Sequence, residues 1–111
     1  MSAASRKARG RQSEHVVAEY LRTWWPYAEA VGAGRPGSDV TGIVGVDWEV
    51  KARRALDLPG TLRQLEARHR DGIIPVAVIR PDGYGPALIG QWAAVTPLAT
   101  MVELLRSGGY S

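Results

Sequence analysis

The 111-residue chain contains no cysteine, which excludes a disulfide framework, a thiolate zinc site, an iron–sulfur cluster and a thiol nucleophile. Histidine is nearly as scarce: His15 and His69 stand apart with no His-x-x-x-His spacing, so nothing supports a histidine-ligated metal. No apolar run approaches the ~18 residues that a membrane span needs, and the basic N-terminus is not followed by the apolar stretch of a secretion signal. These absences predict a soluble, cytoplasmic protein without membrane contact. Acid is also missing from particular places. Residues 1–11 carry Arg6, Lys7, Arg9 and Arg11 and no carboxylate, and 51–70 carry Lys51, Arg53, Arg54, Arg63, Arg68 and Arg70 against only Asp57 and Glu66.

What is present describes one globular domain. Apolar residues make up 45% and charged residues 23%, which excludes wholesale disorder. Thirteen glycines and seven prolines predict many turns rather than a helical bundle. Fourteen Lys and Arg against eleven Asp and Glu leave a net charge of +3. Arginine dominates the cations, and its planar fork grips phosphate oxygens in pairs, so a polyanion is the natural partner. A GC-rich coding bias raises arginine as well, so charge alone leaves nucleic acid and solubility both open.

Residues 1–9 read as a flexible basic arm with nothing to bury, and 10–111 as a single domain. Val16, Val17, Tyr20, Leu21 and Trp24 recur at helical spacing over 13–25, and Pro26 closes that segment. A short strand is expected over 27–31. Residues 39–44 and 46–53 read as two strands of a hairpin. A helix over 57–70 stops before Gly72, and the unbroken apolar run at 73–79 marks a strand covered on both faces. After a turn at 81–86 come a strand over 88–95 and a final helix. Thr96 is expected to cap that helix, with Pro97 in its first turn. The order is α-β-β-β-α-β-β-α around one mixed central sheet flanked by helices, an α/β fold.

Residues 32–37, Gly-Ala-Gly-Arg-Pro-Gly, spell the dinucleotide fingerprint. That loop works by opening a helix whose N-terminus receives a pyrophosphate. Pro36 forbids the helix and strand-like Asp39-Val40-Thr41 follows, so the match is accidental. The loop still lets the backbone, with Arg35, approach DNA closely.

The chemistry concentrates in Ser38-Asp39 and Trp48-Glu49-Val50-Lys51. Alternate strand residues share a face, so Glu49 and Lys51 point one way while Trp48 and Val50 point into the apolar side. A hairpin register that sets Asp39 opposite Glu49 or Lys51 brings it to the same face; the loop permits that register without forcing it. Adjacent carboxylates repel unless a cation lies between them. All-oxygen donors without His or Cys suit Mg²⁺, with Mn²⁺ as a substitute. Lys51 on the same face can orient water or meet charge building on a phosphate, the equipment of metal-assisted phosphodiester hydrolysis.

Asp39-x9-Glu49-x-Lys51 resembles the signature of the PD-(D/E)xK nucleases, with Ser38 where the proline would stand. Within that superfamily the chain is most similar to the small archaeal-type and phage Holliday junction resolvases. Gly10-Arg11 and Glu14 match their basic Gly-Arg segment and first-helix glutamate, and the resemblance covers roughly residues 9–80. It implies a restriction-endonuclease-like fold and a Mg²⁺-dependent endodeoxyribonuclease acting on branched DNA. Asp39, Glu49 and the Val50 backbone carbonyl would hold the metal, and Glu14 would be an outer ligand or position water. Helical arithmetic puts Glu14 about 20° beyond Leu21, at the edge of the apolar stripe. That position suits either a cleft or solvent.

Arg53 shares the Glu49 face and either holds the neighbouring phosphate or ends an exposed strand. Gln64 matches a polar position that some relatives direct at the site; ordinary solvation is the alternative. Arg6, Lys7, Arg9 and Arg11 are expected to bind DNA backbone. Asp47 shares the face but stands one step too early for the catalytic set. Trp24, Trp25, Trp48 and Trp92 read as core or dimer anchors. Paired nicks at a junction need two sites, so a homodimer is expected whose interface includes the last strand or the C-terminal helix. Trp92, Leu98, Met101, Val102 and Leu105 are more apolar surface than so small a domain can cover. Two alternatives stand: a VRR-NUC-like flap or nicking nuclease, and a non-catalytic DNA-binding or assembly subunit on the same scaffold.

Overall fold

The computed structural model, which describes residues 3–32 and 37–111, builds its main sheet around the apolar run that follows Gly72. That run forms a strand at Ile74–Ile79, with parallel Val46–Lys51 on one side and antiparallel Ala93–Val95 on the other. In chain order these are β3 (Val46–Lys51), β4 (Ile74–Ile79) and β5 (Ala93–Val95). Glu29–Ala30 (β1) and Val40–Thr41 (β2) make a separate antiparallel pair. The helices are α1 (Ala3–Leu21), α2 (Leu58–Arg68) and α3 (Leu98–Ser107), and a 3-10 segment covers Pro86–Gln91. The result is an α/β chain with a mixed sheet.

The sheet is packed on both sides, as the continuous β4 run requires. On one side Val17, Ala18 and Leu21 of α1 bury against Ala28, Val40, Ile43, Val78 and Trp92, with Trp48 and Val50 of β3 packed on them. On the other, Leu65 of α2 buries against Ala77 and Ile79. Leu65 is fully enclosed, and its truncation to alanine costs about 2–5 kcal/mol. Asp57 starts α2 by accepting from the Gly60 amide at 3.0 Å, and a side chain at Gly60 would collide with that carboxylate. Gly42 turns the chain beyond β2 at φ +90°, where any side chain would strike the Tyr27 carbonyl.

Several expectations are corrected. Among the described residues the five strands lie in two sheets rather than one, and β2 pairs with β1 instead of forming a hairpin ladder with β3. The described part of the expected arm is helical, because Ala3, Ala4, Arg6, Lys7 and Ala8 are strong helix formers that extend α1. That helix ends at Leu21, well before Pro26. Strand β3 stops at Lys51 rather than 53, and only Ala93–Val95 of the expected 88–95 strand is extended. Pro86 and Gly90 favour the 3-10 turn over the first part of that stretch. Thr96 does not cap α3; its hydroxyl donates to the Pro75 carbonyl at 2.7 Å, tying β5 to β4, and Pro97 takes the cap position.

Candidate active site

The period-two alternation of β3 sorts its side chains as expected. Trp48 and Val50 join the α1 core, while Asp47, Glu49 and Lys51 face α2. The Lys51 ammonium lies 3.7 Å from Glu49 Oε1. Val50 is the next-to-last residue of β3, in register with Val78.

Asp39 reaches this strand without a ladder. Its amide donates to the Trp48 carbonyl at 2.7 Å, and its Oδ2 accepts from the Val50 amide at 2.8 Å. Ser38 works alongside it: the Trp48 amide donates to Ser38 Oγ at 2.8 Å, and that hydroxyl donates to the Val40 carbonyl at 2.6 Å. Two polar side chains thus stand in for the missing backbone partners of β3 and fix Asp39 beside Glu49.

Glu14 approaches from α1, and the three carboxylates feel one another. Glu14 is pushed up from 4.5 to about 7 by burial, by the charges of Asp39 and Glu49, with Arg11 opposing. Asp39 is raised by burial, against the pull of the Val50 amide, Arg68 and Lys51. Glu49 is raised by burial and by Asp39, against Arg68, Lys51 and a hydrogen bond from Gln64. Burial is the largest cause at all three carboxylates, and at Glu14 the charges of Asp39 and Glu49 add to it.

One member of this cluster, Arg68, was missed in the sequence, and Asp47, left outside the catalytic set, is its second partner. Arg68 on α2 donates through Nη1 to Glu49 Oε2 at 2.8 Å and to Asp47 Oδ1 at 3.3 Å. Asp47, nearly buried, is thereby a structural anion rather than a bystander. The available signal was spacing: Arg68 lies four residues after Gln64, so both occupy one face of α2.

Beside Glu49 opens a cleft of about 340 Å³ between the end of β3 and the first turns of α2. Lys51, Arg53, Thr61 and Gln64 border it, so Arg53 and Gln64 both stand with Glu49 and Lys51. The basic residues of α1 divide. Arg6, Lys7 and Arg11 are exposed, whereas Arg9 Nε donates to the Ala52 carbonyl at 3.2 Å. Arg35 lies outside the described residues.

The donor set is all carboxylate oxygen, chemistry that fits a hard divalent cation. Yet among the described residues no group of three or more His, Cys, Asp or Glu side chains is arranged to hold a metal ion. Arg68 is what engages Glu49 instead.

Of the apolar residues expected at a dimer contact, Trp92 is not available. It is 7% exposed, enclosed by its own chain, with its indole donating to the Gly85 carbonyl at 3.3 Å. Leu98, Met101, Val102 and Leu105 are exposed on α3, and Trp24 and Trp25 are exposed beyond α1 rather than in the core. No helix among the described residues is long and apolar enough to cross a membrane. Comparison with known proteins returns no match: no family model, no curated protein and no solved structure is significantly similar to the chain.

Proposed function

We propose that the chain is a metal-dependent, structure-selective endodeoxyribonuclease on a restriction-endonuclease-like scaffold, acting on branched DNA as Holliday junction resolvases do. One observation carries the reading: Glu14, Asp39 and Glu49 crowd their charges together, with the Lys51 ammonium beside Glu49. Asp39 and Glu49, with the Val50 carbonyl and Glu14 outside them, would hold Mg²⁺ or Mn²⁺. The cation supplies Lewis-acid charge to a phosphate and makes water a better nucleophile.

The chain's own groups do the rest. Lys51 orients the attacking water and donates to the oxygen on which charge develops. Arg53 and Gln64, bordering the cleft, bind the neighbouring phosphate. Asp39 is held in place by the Val50 amide, so it does not have to be ordered when substrate arrives. Contacts of this kind read backbone and shape rather than bases, so no sequence preference is expected. Two symmetric nicks require two sites, and the exposed α3 face of Leu98, Met101 and Leu105 supplies a surface for a homodimer.

A second reading is favoured by the Arg68 contact. A guanidinium locked on Glu49 suits a DNA-binding or assembly subunit that has lost the reaction. A panel of labelled junction, flap, nicked, duplex and single-stranded DNAs, incubated with Mg²⁺, separates the readings. Paired cuts in the junction support a resolvase, and cuts confined to flaps or nicks support the nicking alternative. Binding without cleavage supports the subunit.

A further inference from the structure

Arg80 is the first residue after β4, and it is enclosed: only 8% of it is exposed. Its parity follows Val78, so its side chain turns toward α1 rather than toward the Glu49 cleft. There Nε donates to the Tyr84 carbonyl at 2.8 Å, and Nη1 donates to Gln12 Oε1 at 3.0 Å and Ser13 Oγ at 3.1 Å. The guanidinium also lies over the Trp92 ring, 5.1 Å from its centroid. All of these partners are neutral. No carboxylate among the described residues lies within 4.0 Å of it.

A buried charge is ordinarily paired with an opposite one, because an uncompensated ion costs several kcal/mol. Ser13, which accepts from Arg80, donates its hydroxyl to the Arg9 carbonyl one helical turn earlier at 2.7 Å. Burial lowers the pKa of the Arg80 guanidinium, and the like charge of Arg9 lowers it further. Arg9 is itself held, through the Ala52 carbonyl, at the end of β3. The Arg80 amide donates to the Lys51 carbonyl at 2.9 Å, so the pair sits at the carboxyl ends of two adjacent parallel strands. Ligands of α/β sheets bind outside those strand ends.

We propose that Arg9 and Arg80 form a built anion seat for one DNA backbone phosphate, on the α1 side of the sheet, separate from the Glu49 cleft. The occupant rests on the DNA reading above; the seat itself rests on two fixed guanidinium groups, neither within 4.0 Å of a carboxylate among the described residues. A duplex spanning the strand ends would engage this seat with one phosphate and the cleft with another, which fixes its register on the protein without reading sequence.

The test is fluorescence anisotropy of a labelled duplex and a labelled four-way junction in EDTA, across a salt series. Arg9→Gln and Arg80→Gln should each weaken binding about tenfold, as for a lost charge-assisted hydrogen bond. Each should flatten the log–log salt slope by up to roughly 0.9. Because both act on one phosphate, the double variant should lose less than the product of the single losses. Thermal melts monitor folding; Arg9 lies at a partly exposed helix position, so Arg9→Gln can overturn the seat even if Arg80→Gln does not fold, and Arg80→Lys, which keeps the charge, then replaces it in the double-variant comparison. Unchanged affinity and slope in folded Arg9→Gln overturn the seat, and so do strictly multiplicative losses. Tight DNA binding by a wild type that never cuts would overturn the nuclease reading and leave the seat standing.

Discussion

Glutamate at position 14 is expected to destabilise the folded chain in a pH-dependent way, and Glu14→Gln isolates the effect. Burial and two neighbouring carboxylates push its folded-state value from 4.5 to about 7. Well below pH 4.5 the folded and unfolded chains both keep the proton, and Glu14 contributes nothing to stability. As pH rises through 4.5 the unfolded chain loses its proton while the folded one retains it, so stability falls. Above about pH 7 the folded chain ionises too, and the cost stays constant. At about 1.4 kcal/mol per unit the full displacement corresponds to about 3 kcal/mol. Solvent reaches part of Glu14 and screens its neighbours, which brings the expected cost to about 1–2 kcal/mol. Urea unfolding of wild type and Glu14→Gln should therefore give similar stabilities near pH 4. At pH 8.5 the variant should be about 1–2 kcal/mol more stable. A stability difference that does not change between the two pH values would refute the crowding of Glu14 with Asp39 and Glu49.

Three further outcomes are expected. Asp39→Asn and Lys51→Ala should each reduce cleavage about 100-fold or more while DNA affinity by anisotropy stays within a few-fold, because binding rests on the arginines. Arg68→Ala should lower stability by about 2 kcal/mol by stranding Asp47, yet enlarge the rise in melting temperature produced by Mg²⁺, since Glu49 is released; a melting curve with and without the cation reads both. Leu105→Asp should convert a dimer in light scattering to a 12.0 kDa monomer that no longer makes paired cuts, whereas a wild type already at that mass would remove the dimer from the account.

The strand end of the site was legible because it follows from a period of two. Glu49 and Lys51 share a face, Trp48 and Val50 the other, whatever the rest of the chain does. The central β4 run was legible for a similar reason, being unbroken apolarity. Asp39 was only half legible. Its approach to β3 depends on Ser38 and Asp39 side chains replacing a ladder, and a reading based on backbone pairing expects a hairpin there. The α1 start was misread because a polar stretch without apolar periodicity looks like an arm, although its residues favour helix. Arg68 and Arg80 were illegible as site residues for opposite reasons. Arg68 lay hidden among many arginines until α2 docked, and Arg80 reads as a strand-ending surface charge until α1 closes over it. Trp92 was taken for a surplus apolar residue because nothing in the sequence announces that the 80–85 turn and Arg80 enclose it.

The central claim is that the carboxylates around Glu49 are a metal-dependent phosphodiesterase site. Cleavage of an end-labelled four-way junction, by wild type and Glu49→Gln, first in EDTA and then after excess Mg²⁺, tests it most directly. The account predicts an intact junction in EDTA, cleavage by the wild type once Mg²⁺ is added, and at most about one hundredth of that rate in Glu49→Gln. Cleavage in EDTA, or undiminished cleavage by Glu49→Gln, would contradict it.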